Sequence, residues 1–390
     1  MPSFVTHLEC SRCGSRYNHR EIHHLCACGG PLLVEYDLEA AGRAVRPDDL
    51  RGRVASMWRY REFLPVEEHA VTLGEGFTQL FRLHRLGDRA GLTDLWLKDD
   101  GLNPTGTFKA RGAATGMTAV VERGVREVAL PTAGNAGAAW AAYGAAAGVL
   151  VHVAMPRDAP QSAREQSLAY GARVTLVDGL IGDAAALIAE GVRDRGWFDA
   201  GTLREPYRIE GKKTLGLEIA EQLGWRLPDA IVYPAGGGVG IIGIWRALEQ
   251  LAALRWVRGP RPRLIVVQAE GCAPMVKAFH QGKEESDPWP DPATIAHGLR
   301  VPKALGDFLV LRAVRETGGT CVAVSDDEIV AAMGDLAREA GVLACPEGAA
   351  TLAAATRLRD AGELDPGHRV VLINTGTGLG QDRTPRPEKE

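Results

Sequence analysis

Short apolar runs rich in β-branched residues alternate with longer amphipathic or alanine-rich segments along most of the chain. The short runs predict strands at 94–98, 127–130, 149–155, 173–177, 230–233, 263–270 and 369–374. The longer segments predict helices at 110–123, 135–147, 163–170, 183–195, 214–223, 239–253, 325–339 and 349–361. Strands that alternate with helices in this way indicate parallel sheets covered by helices on both faces. We therefore predict an α/β fold with two lobes, in which parallel or mixed sheets are flanked by helices.

Interruptions of this pattern suggest where the domains begin and end. The polar, turn-rich residues 1–36 predict a small N-terminal ribbon, and 37–108 predict a connector followed by the first part of a large domain. Residues 109–204 predict a small α/β domain, and 205–380 predict the rest of the large domain. The charged, proline-bearing segment 381–390 predicts a disordered tail.

Composition and charge exclude several classes of partner. With 390 residues and 45% hydrophobic content, the chain is long enough to fill more than one core. The net charge is -4, and lysines and arginines are scattered among acids, which argues against a nucleic-acid partner. Its apolar runs are shorter than a membrane span, and no basic N-terminal segment precedes an apolar stretch. We therefore expect no membrane partner and a cytoplasmic location.

Four of the seven cysteines lie in two close pairs near the N-terminus: Cys10, Cys13, Cys26 and Cys28. Pairs spaced in this way, with twelve residues between them, are typical of a tetrahedral thiolate site for structural zinc in a reducing compartment. The alternative is a ribbon that folds on the main body without a metal. The other three cysteines are dispersed and are expected to be small core residues: Cys272, Cys321 and Cys345.

Lys109 is the first candidate for chemistry. Pro104 and Gly106 bend the chain ahead of a helix that is predicted to begin near Phe108. The partial positive charge of a helix N-terminus favours the neutral form of a nearby amine, which is the form that attacks a carbonyl carbon. Lys109 is therefore a candidate to bind an aldehyde cofactor covalently. The alternative is an exposed helix lysine without a special role.

A glycine-rich loop between strand 230–233 and helix 239–253 is the second candidate: Gly236, Gly237, Gly238, Val239 and Gly240. Without Cβ atoms, successive backbone N–H groups can converge on a phosphate, and the helix N-terminus adds to the attraction. Alternatively, the glycines form only a tight turn. A reactive lysine together with a phosphate-binding loop is the minimal equipment for pyridoxal 5'-phosphate (PLP), which we predict as the cofactor.

Two further turns follow strand ends. In 131–137, the Asn135 amide could donate to the ring oxygen of PLP while nearby backbone N–H groups meet a substrate carboxylate; alternatively, Asn135 only caps a helix. In 373–378, the Thr375 hydroxyl could meet the pyridine nitrogen, or Thr375 could be a plain turn residue. Ligands of parallel sheets bind outside the carboxyl ends of the strands, so we expect these turns to face one cleft.

Five motifs together resemble those of threonine synthases, which belong to the fold type II (tryptophan synthase β-like) PLP enzymes. They are NPTGTFKARG around Lys109, TAGNAG around Asn135, RIEGKKT at 208–214, the glycine loop and TGTG at 375–378. The likeness covers nearly the whole chain, including the N-terminal cysteine ribbon that some bacterial and archaeal members carry.

The resemblance implies a PLP-dependent lyase that converts O-phospho-L-homoserine and water into L-threonine and phosphate by γ-elimination and β-addition. It implies that Lys109 binds PLP and shuttles protons, that Phe108 packs beside the cofactor and that Asn135 bonds the ring oxygen. It further implies that residues 236–240 hold the PLP phosphate and that Thr375 faces the pyridine nitrogen. The implied substrate-binding residues are Thr132, Ala133, Gly134, Asn135 and Arg208, with Arg208 at the substrate phosphate. A homodimer is also implied.

The chain departs from the family pattern near the expected substrate phosphate. Ala136 stands where many members carry a hydroxyl, and Leu203 and Arg204 replace small polar residues. A second reaction therefore stays open, namely β-replacement or β-elimination on O-phosphoserine or a hydroxy amino acid, as in cysteate synthase and dehydratase relatives. A third hypothesis is a non-catalytic PLP-binding protein that serves as a sensor or an interaction module. The basic residues in 204–213 favour an anionic substrate, or form a solvated basic face.

Overall fold

The computed structural model describes residues 3–379, so the expected tail at 381–390 lies outside the described residues. The first seven strands are β1 (Val5–Cys10), β2 (Arg16–Tyr17), β3 (Leu32–Tyr36), β4 (Leu80–Arg82), β5 (Asp94–Asp99), β6 (Glu127–Pro131) and β7 (Leu150–Pro156). The later strands are β8 (Arg173–Val177), β9 (Phe198–Asp199), β10 (Ala230–Pro234), β11 (Arg263–Ala269), β12 (Thr320–Val324) and β13 (Arg369–Asn374).

Helices of varied length connect these strands. The first six are α1 (Leu38–Ala44), α2 (His84–Arg89), α3 (Lys109–Glu122), α4 (Asn135–Ala147), α5 (Gln161–Ala169) and α6 (Ile181–Arg195). The later helices are α7 (Tyr207–Gln222), α8 (Val239–Ala253), α9 (Pro274–His280), α10 (Asp307–Glu316), α11 (Asp326–Ala340) and α12 (Pro346–Asp360). Within residues 3–379, no helix combines the length and the apolar character that a membrane span requires.

The chain divides into two compact units. The first unit comprises the residues up to Phe77, Asn103–Glu218 and Arg246–Trp256. The second unit comprises Thr78–Leu102, Ile219–Trp245 and the residues from Val257 onward.

The first unit contains a four-stranded parallel sheet with the order β8-β7-β6-β9. Helix α6 packs on one face, around Ala129, Ala154 and Ile188. Helices α3 and α4 pack on the other face, around Leu130 and Trp140. Both faces of this sheet are therefore covered, as the alternation of strands and helices predicts.

The N-terminal ribbon is a second, antiparallel sheet of the first unit, with the order β2-β1-β3. Its buried side chains Leu8, Leu32 and Val34 form a cluster with Ala119 of α3 and Tyr207 at the start of α7. A piece this small cannot fill a core by itself, so α3 and α7 supply the apolar surface that it buries.

The second unit is built on a six-stranded sheet with the order β12-β11-β10-β13-β5-β4. Only β4 is antiparallel to its neighbour, so the sheet is mixed. Val232, Ile265 and Leu372 face the side on which α12 packs, while the alternate residues Ile231 and Val266 are also fully buried. Because both faces are covered, these strands are continuous apolar runs in the sequence.

The α/β prediction is confirmed, and each predicted strand and helix has a counterpart in the structure. The sequence pattern missed six elements: α2, β4, β9, α9, α10 and β12. The predicted start of α7 at residue 214 was wrong, because the helix begins at Tyr207. Its first two turns carry several charged residues that resemble a surface loop in the sequence, yet Arg208, Glu210 and Lys213 are all buried.

Candidate active site

The glycine loop and Thr375 leave the second unit's sheet at the same edge. Strands β10 and β13 are parallel neighbours, with Val232 paired to Leu372. The glycine loop follows the carboxyl end of β10, and Thr375 directly follows the carboxyl end of β13. The structure thus brings together two turns that the sequence predicts as parts of one site, at the edge where parallel sheets bind ligands.

The glycine loop has no room for side chains. Gly238 has a φ of +75°, and a Cβ at this position would overlap with Val310. A Cβ at Gly240 would overlap with the hydroxyl of Tyr233. Only backbone therefore lines this part of the loop, which is the condition for a close approach of N–H groups to a phosphate.

The loop also has the donors that a phosphate needs. Within the described residues, the N–H groups of Gly236–Gly238 donate to no other backbone group. Helix α8 begins at Val239, so its first N–H groups have no intrahelical partners and point toward the loop side. Donors of this kind at a helix N-terminus fit the phosphate of PLP.

Thr375 lies in a buried polar environment that the sequence did not reveal. Its Oγ1 is 3.6 Å from the Sγ atom of Cys345, and the neighbouring Asn374 donates from Nδ2 to Asp99 Oδ1 at 2.7 Å. Burial raises the pKa of the Cys345 thiol well above its usual value, so this thiol adds no charge beside Thr375. A buried hydroxyl beside a neutral thiol fits contact with a pyridine nitrogen.

Asn374, Asp99 and Cys345 are the positions near this edge that the sequence analysis did not assign to the site. The only sequence signal for Asn374 is its place at a strand end, directly before Thr375.

All three cysteines outside the ribbon are buried, which confirms their prediction as core residues: Cys272, Cys321 and Cys345.

Lys109 is the first residue of α3 and follows a strained turn. In this turn Thr105 has a φ of 65°, which is unusual for a β-branched residue, and its buried Oγ1 has no hydrogen-bond partner within residues 3–379. The Nζ atom of Lys109 lies 4.2 Å from the centroid of the Phe108 ring. The prediction that a turn precedes a helix at Lys109 is confirmed, and strain of this kind is common at functional sites.

The loop that contains Asn135 follows β6 and leads into α4. Asn135 is the first residue of α4, and Gly134 before it has a φ of 137°. Thr132 Oγ1 accepts a hydrogen bond from the N–H of Gly134 at 3.0 Å. This N–H is therefore already used, so donors to an anion are expected from the first turn of α4, where backbone N–H groups lack intrahelical partners. Helix α4 also contacts the turn at Pro104–Gly106.

Arg208 is buried among partners of its own unit. Its guanidinium donates to Thr202 Oγ1 at 3.1 Å and to the carbonyl of Ala200. Its Nε lies 3.1 Å from Glu205 Oε1 but makes no hydrogen bond within the described residues. Burial lowers the pKa of Arg208, and burial raises the pKa of Glu205. The group lies 5.5 Å above the ring of Trp140 in α4, near the Asn135 helix.

The four ribbon cysteines converge on one point. The Sγ atoms of Cys10, Cys13, Cys26 and Cys28 all lie within 4.8 Å of one another. The Cys10–Cys28 and Cys13–Cys26 sulfur pairs are each 3.5 Å apart. The hydroxyl of Tyr17 donates to Cys26 Sγ at 3.1 Å. Four sulfurs at such distances fit the corners of a small tetrahedron around one metal ion.

Comparisons with known proteins agree with this geometry. Residues 71–376 match the family model described as "Pyridoxal-phosphate dependent enzyme". The chain is 37% identical to threonine synthase of Methanosarcina acetivorans, over 97% of this chain and 93% of the relative. It is 35% identical to threonine synthase of Methanocaldococcus jannaschii, over 95% and 92% of the two chains. Maize serine racemase has a similar structure, with a TM-score of 0.67 and 26% identity over 77% of this chain and 88% of that chain.

Proposed function

The chain belongs to the pyridoxal-phosphate dependent enzymes and, among them, to the threonine synthases, and we propose that it converts O-phospho-L-homoserine and water into L-threonine and phosphate. The main support for this proposal is the sequence identity to two threonine synthases over nearly the entire chain. The glycine loop, whose backbone fits a phosphate, supports it independently.

Residues singled out in the sequence would hold the cofactor. Lys109 would bind the aldehyde carbon, Phe108 would pack beside the ring and the Asn135 amide would donate to the ring oxygen. The backbone of Gly236–Gly240 would hold the phosphate, and Thr375 would donate to the pyridine nitrogen. The support is the position of each residue at a strand or helix end and the buried, neutral Cys345 thiol beside Thr375.

When bound, PLP supplies an electron sink for charge that develops at the substrate α-carbon. The Lys109 amine would then take the α-proton and return protons along the substrate carbon chain. Its place at the N-terminus of α3 favours the neutral amine that this role needs. The N–H groups at the start of α4, near Asn135, would orient the substrate carboxylate.

Arg208 would bind the substrate phosphate, together with donors of the loop Thr132–Asn135. The support is a buried guanidinium held next to α4. Its contacts with Thr202 and Ala200 and its ion pair with Glu205 hold it in one orientation, and a planar guanidinium suits a doubly charged phosphate.

Product analysis tests the reaction. The purified enzyme with PLP is incubated separately with O-phospho-L-homoserine, O-phospho-L-serine and L-threonine, while phosphate release and product mass are measured. We expect L-threonine and equimolar phosphate from the first compound. 2-Oxobutyrate from L-threonine would instead show a dehydratase, and turnover of O-phospho-L-serine alone would favour β-replacement or β-elimination. No turnover despite stoichiometric PLP would support a non-catalytic protein.

We further propose that the ribbon binds one structural zinc ion through Cys10, Cys13, Cys26 and Cys28. The support is the convergence of the four sulfurs, because zinc–sulfur bonds of about 2.3 Å place tetrahedral sulfurs about 3.8 Å apart. Four thiolates leave no open coordination position, so the role would be structural. Elemental analysis should find one zinc per native chain and none in a Cys10→Ser/Cys28→Ser variant.

We also propose a division into domains and an oligomeric state. The domains are a ribbon at 1–36, a connector and large domain at 37–108 and 205–380, and a small domain at 109–204. The oligomeric state is a homodimer, supported by the resemblance to threonine synthases. Sedimentation velocity of the PLP-loaded enzyme would distinguish a dimer from a monomer.

A further inference from the structure

A histidine of the N-terminal ribbon contacts both ends of segment 198–204, which leads from β9 toward α7. The ring of His24 packs against Phe198 in β9, with the two ring centroids 4.8 Å apart. Its Nδ1 lies 3.3 Å from the carbonyl oxygen of Arg204. Because a carbonyl oxygen can only accept, Nδ1 carries the hydrogen of this bond. One half-buried side chain of the ribbon therefore joins the first and the last residue of the segment.

The interior of segment 198–204 holds the guanidinium of Arg208. The carbonyl oxygen of Ala200 and the Oγ1 atom of Thr202 both accept hydrogen bonds from this guanidinium, the second at 3.1 Å. Ala200 and Arg208 are both buried. The two acceptors thus lie between the two residues that His24 contacts, so a shift of either end of the segment also moves the acceptors.

The loop between these two ends is closed and strained. Asp199 Oδ2 lies 3.6 Å from Arg204 Nε, which brings the two ends near each other. Leu203 has a φ of 60°, a backbone conformation that leucine rarely adopts and that persists only where neighbouring contacts enforce it. The hydrogen bond from His24 reaches the carbonyl of the next residue, so it is one of the contacts that hold this conformation.

We propose that His24 is a positioning residue, which fixes segment 198–204 so that Arg208 faces the substrate phosphate. This inference rests on the proposed role of Arg208 in binding that phosphate. The ribbon then contributes to substrate affinity in addition to its packing on α3 and α7. The loss of one hydrogen bond of this kind corresponds to a change of about three- to tenfold in a dissociation constant.

Calorimetric titration of the full-length, PLP-loaded enzyme tests the inference, with inorganic phosphate and L-threonine as separate ligands. His24→Ala should weaken phosphate binding about three- to tenfold and raise KM for O-phospho-L-homoserine by a similar factor. Binding of L-threonine, which carries no phosphate, should stay native. His24→Asn should restore most of the phosphate affinity, because its amide nitrogen can donate in place of Nδ1.

His23→Ala is the matched control for damage to the ribbon. The ring of His23 faces Tyr17 of the ribbon itself, with the centroids 5.0 Å apart, so this variant should keep the native affinities for both ligands. Phe198→Leu removes the ring that His24 packs against and should weaken phosphate binding in the same way as His24→Ala.

The double variant His24→Ala/Arg208→Lys tests whether the effect passes through Arg208. Arg208→Lys alone should weaken phosphate binding, because a lysine cannot reproduce the planar donor pair of a guanidinium. In this background His24→Ala should weaken phosphate binding no further, since two substitutions that act through one contact are not additive.

Native phosphate affinity in folded His24→Ala enzyme would overturn the inference. If His24→Ala does not fold, native phosphate affinity in Phe198→Leu would overturn it. An equal loss of affinity in His23→Ala, or a full additional loss in the double variant, would overturn it as well. A native enzyme that binds no phosphate, or an Arg208→Lys variant with native phosphate affinity, would instead overturn the proposed role of Arg208.

Discussion

Lys213 lies fully buried on α7, with its ammonium paired to Glu210 and 4.0 Å above the ring of Tyr36. The Tyr36 hydroxyl donates to Glu210 Oε2 at 2.6 Å. Burial lowers the pKa of Lys213 to about 8, although the negative charge of Glu210 opposes this shift. Burial also raises the pKa of Tyr36 well above its usual value, so the tyrosine stays protonated where the lysine titrates.

Stability should therefore rise with pH between about 8 and 10 because of Lys213. The folded protein loses this proton near pH 8, whereas the unfolded chain keeps it up to its ordinary pKa of 10.5. This gain in the free energy of unfolding is complete above pH 10.5, and it is lost as the pH falls to about 8. Urea unfolding at several pH values compares the native protein with Lys213→Met/Glu210→Gln. The native slope should exceed the variant slope by up to about 1.4 kcal/mol per pH unit. Equal slopes would contradict this assignment.

For single residues, sequence patterns identify candidate site positions but not the side chains with which a residue pairs in the folded protein. Lys109, Asn135 and Thr375 could be singled out because each lies at the end of a predicted element, and the structure places them there. The buried pair of Arg111 and Glu218, with a 2.8 Å hydrogen bond, could not be predicted. The two residues come from separate segments, and only the packing of α3 on α7 joins them.

At the element scale, the regular alternation of strands and helices could be predicted, while irregular stretches could not. Segment 271–324 is rich in proline, glycine and charge, and it contains the missed elements α9, α10 and β12. Strand β12 pairs with β11, so its burial comes from the sheet and not from its own pattern. The glycine loop could be predicted because a run of glycines between a strand and a helix allows a backbone that few other sequences adopt.

Gly238 provides a test of the phosphate loop at this scale. Gly238→Ala should weaken PLP binding at least tenfold, because the new Cβ meets Val310 and the loop must move. Gly259→Ala is the matched control, since Gly259 has a φ of +99° with nothing within 4 Å of its Cβ position. In both variants the new alanine must adopt a positive φ, which costs on the order of 1 kcal/mol. Equilibrium titration of cofactor-depleted protein with PLP measures the dissociation constants, and equal affinities in both variants would argue against the loop.

At the scale of the whole molecule, the ribbon and the proposed lysine site share two helices of the first unit. The ribbon buries Leu8 and Val34 against Ala119 of α3 and Tyr207 of α7. Helix α3 begins at Lys109, and α7 carries Arg208. Arg246 of α8 also donates to Glu35 at the end of the ribbon at 2.7 Å. The predicted zinc ion would thus stabilise a piece that packs on the helices of the site.

Removal of the metal should loosen the first unit selectively. After treatment with a strong chelator, we expect faster amide hydrogen exchange in β1–β3 and in the turns of α3 and α7 near Ala119 and Tyr207. Exchange in β10 and β13 of the second unit should stay unchanged and serves as the internal control. Because small thiolate sites contribute folding free energy directly, the loss should be evident without denaturant. Unchanged exchange in the ribbon after complete metal removal would contradict a structural role.

Covalent binding of PLP by Lys109 of this threonine synthase family member can be tested by borohydride reduction of the PLP-loaded enzyme followed by peptide mass mapping, with Lys109→Ala as the control. We expect one reduced PLP adduct per chain, on the peptide that contains Lys109, and none in the variant. An adduct on another lysine, or a native enzyme without any adduct, would rule out this role of Lys109.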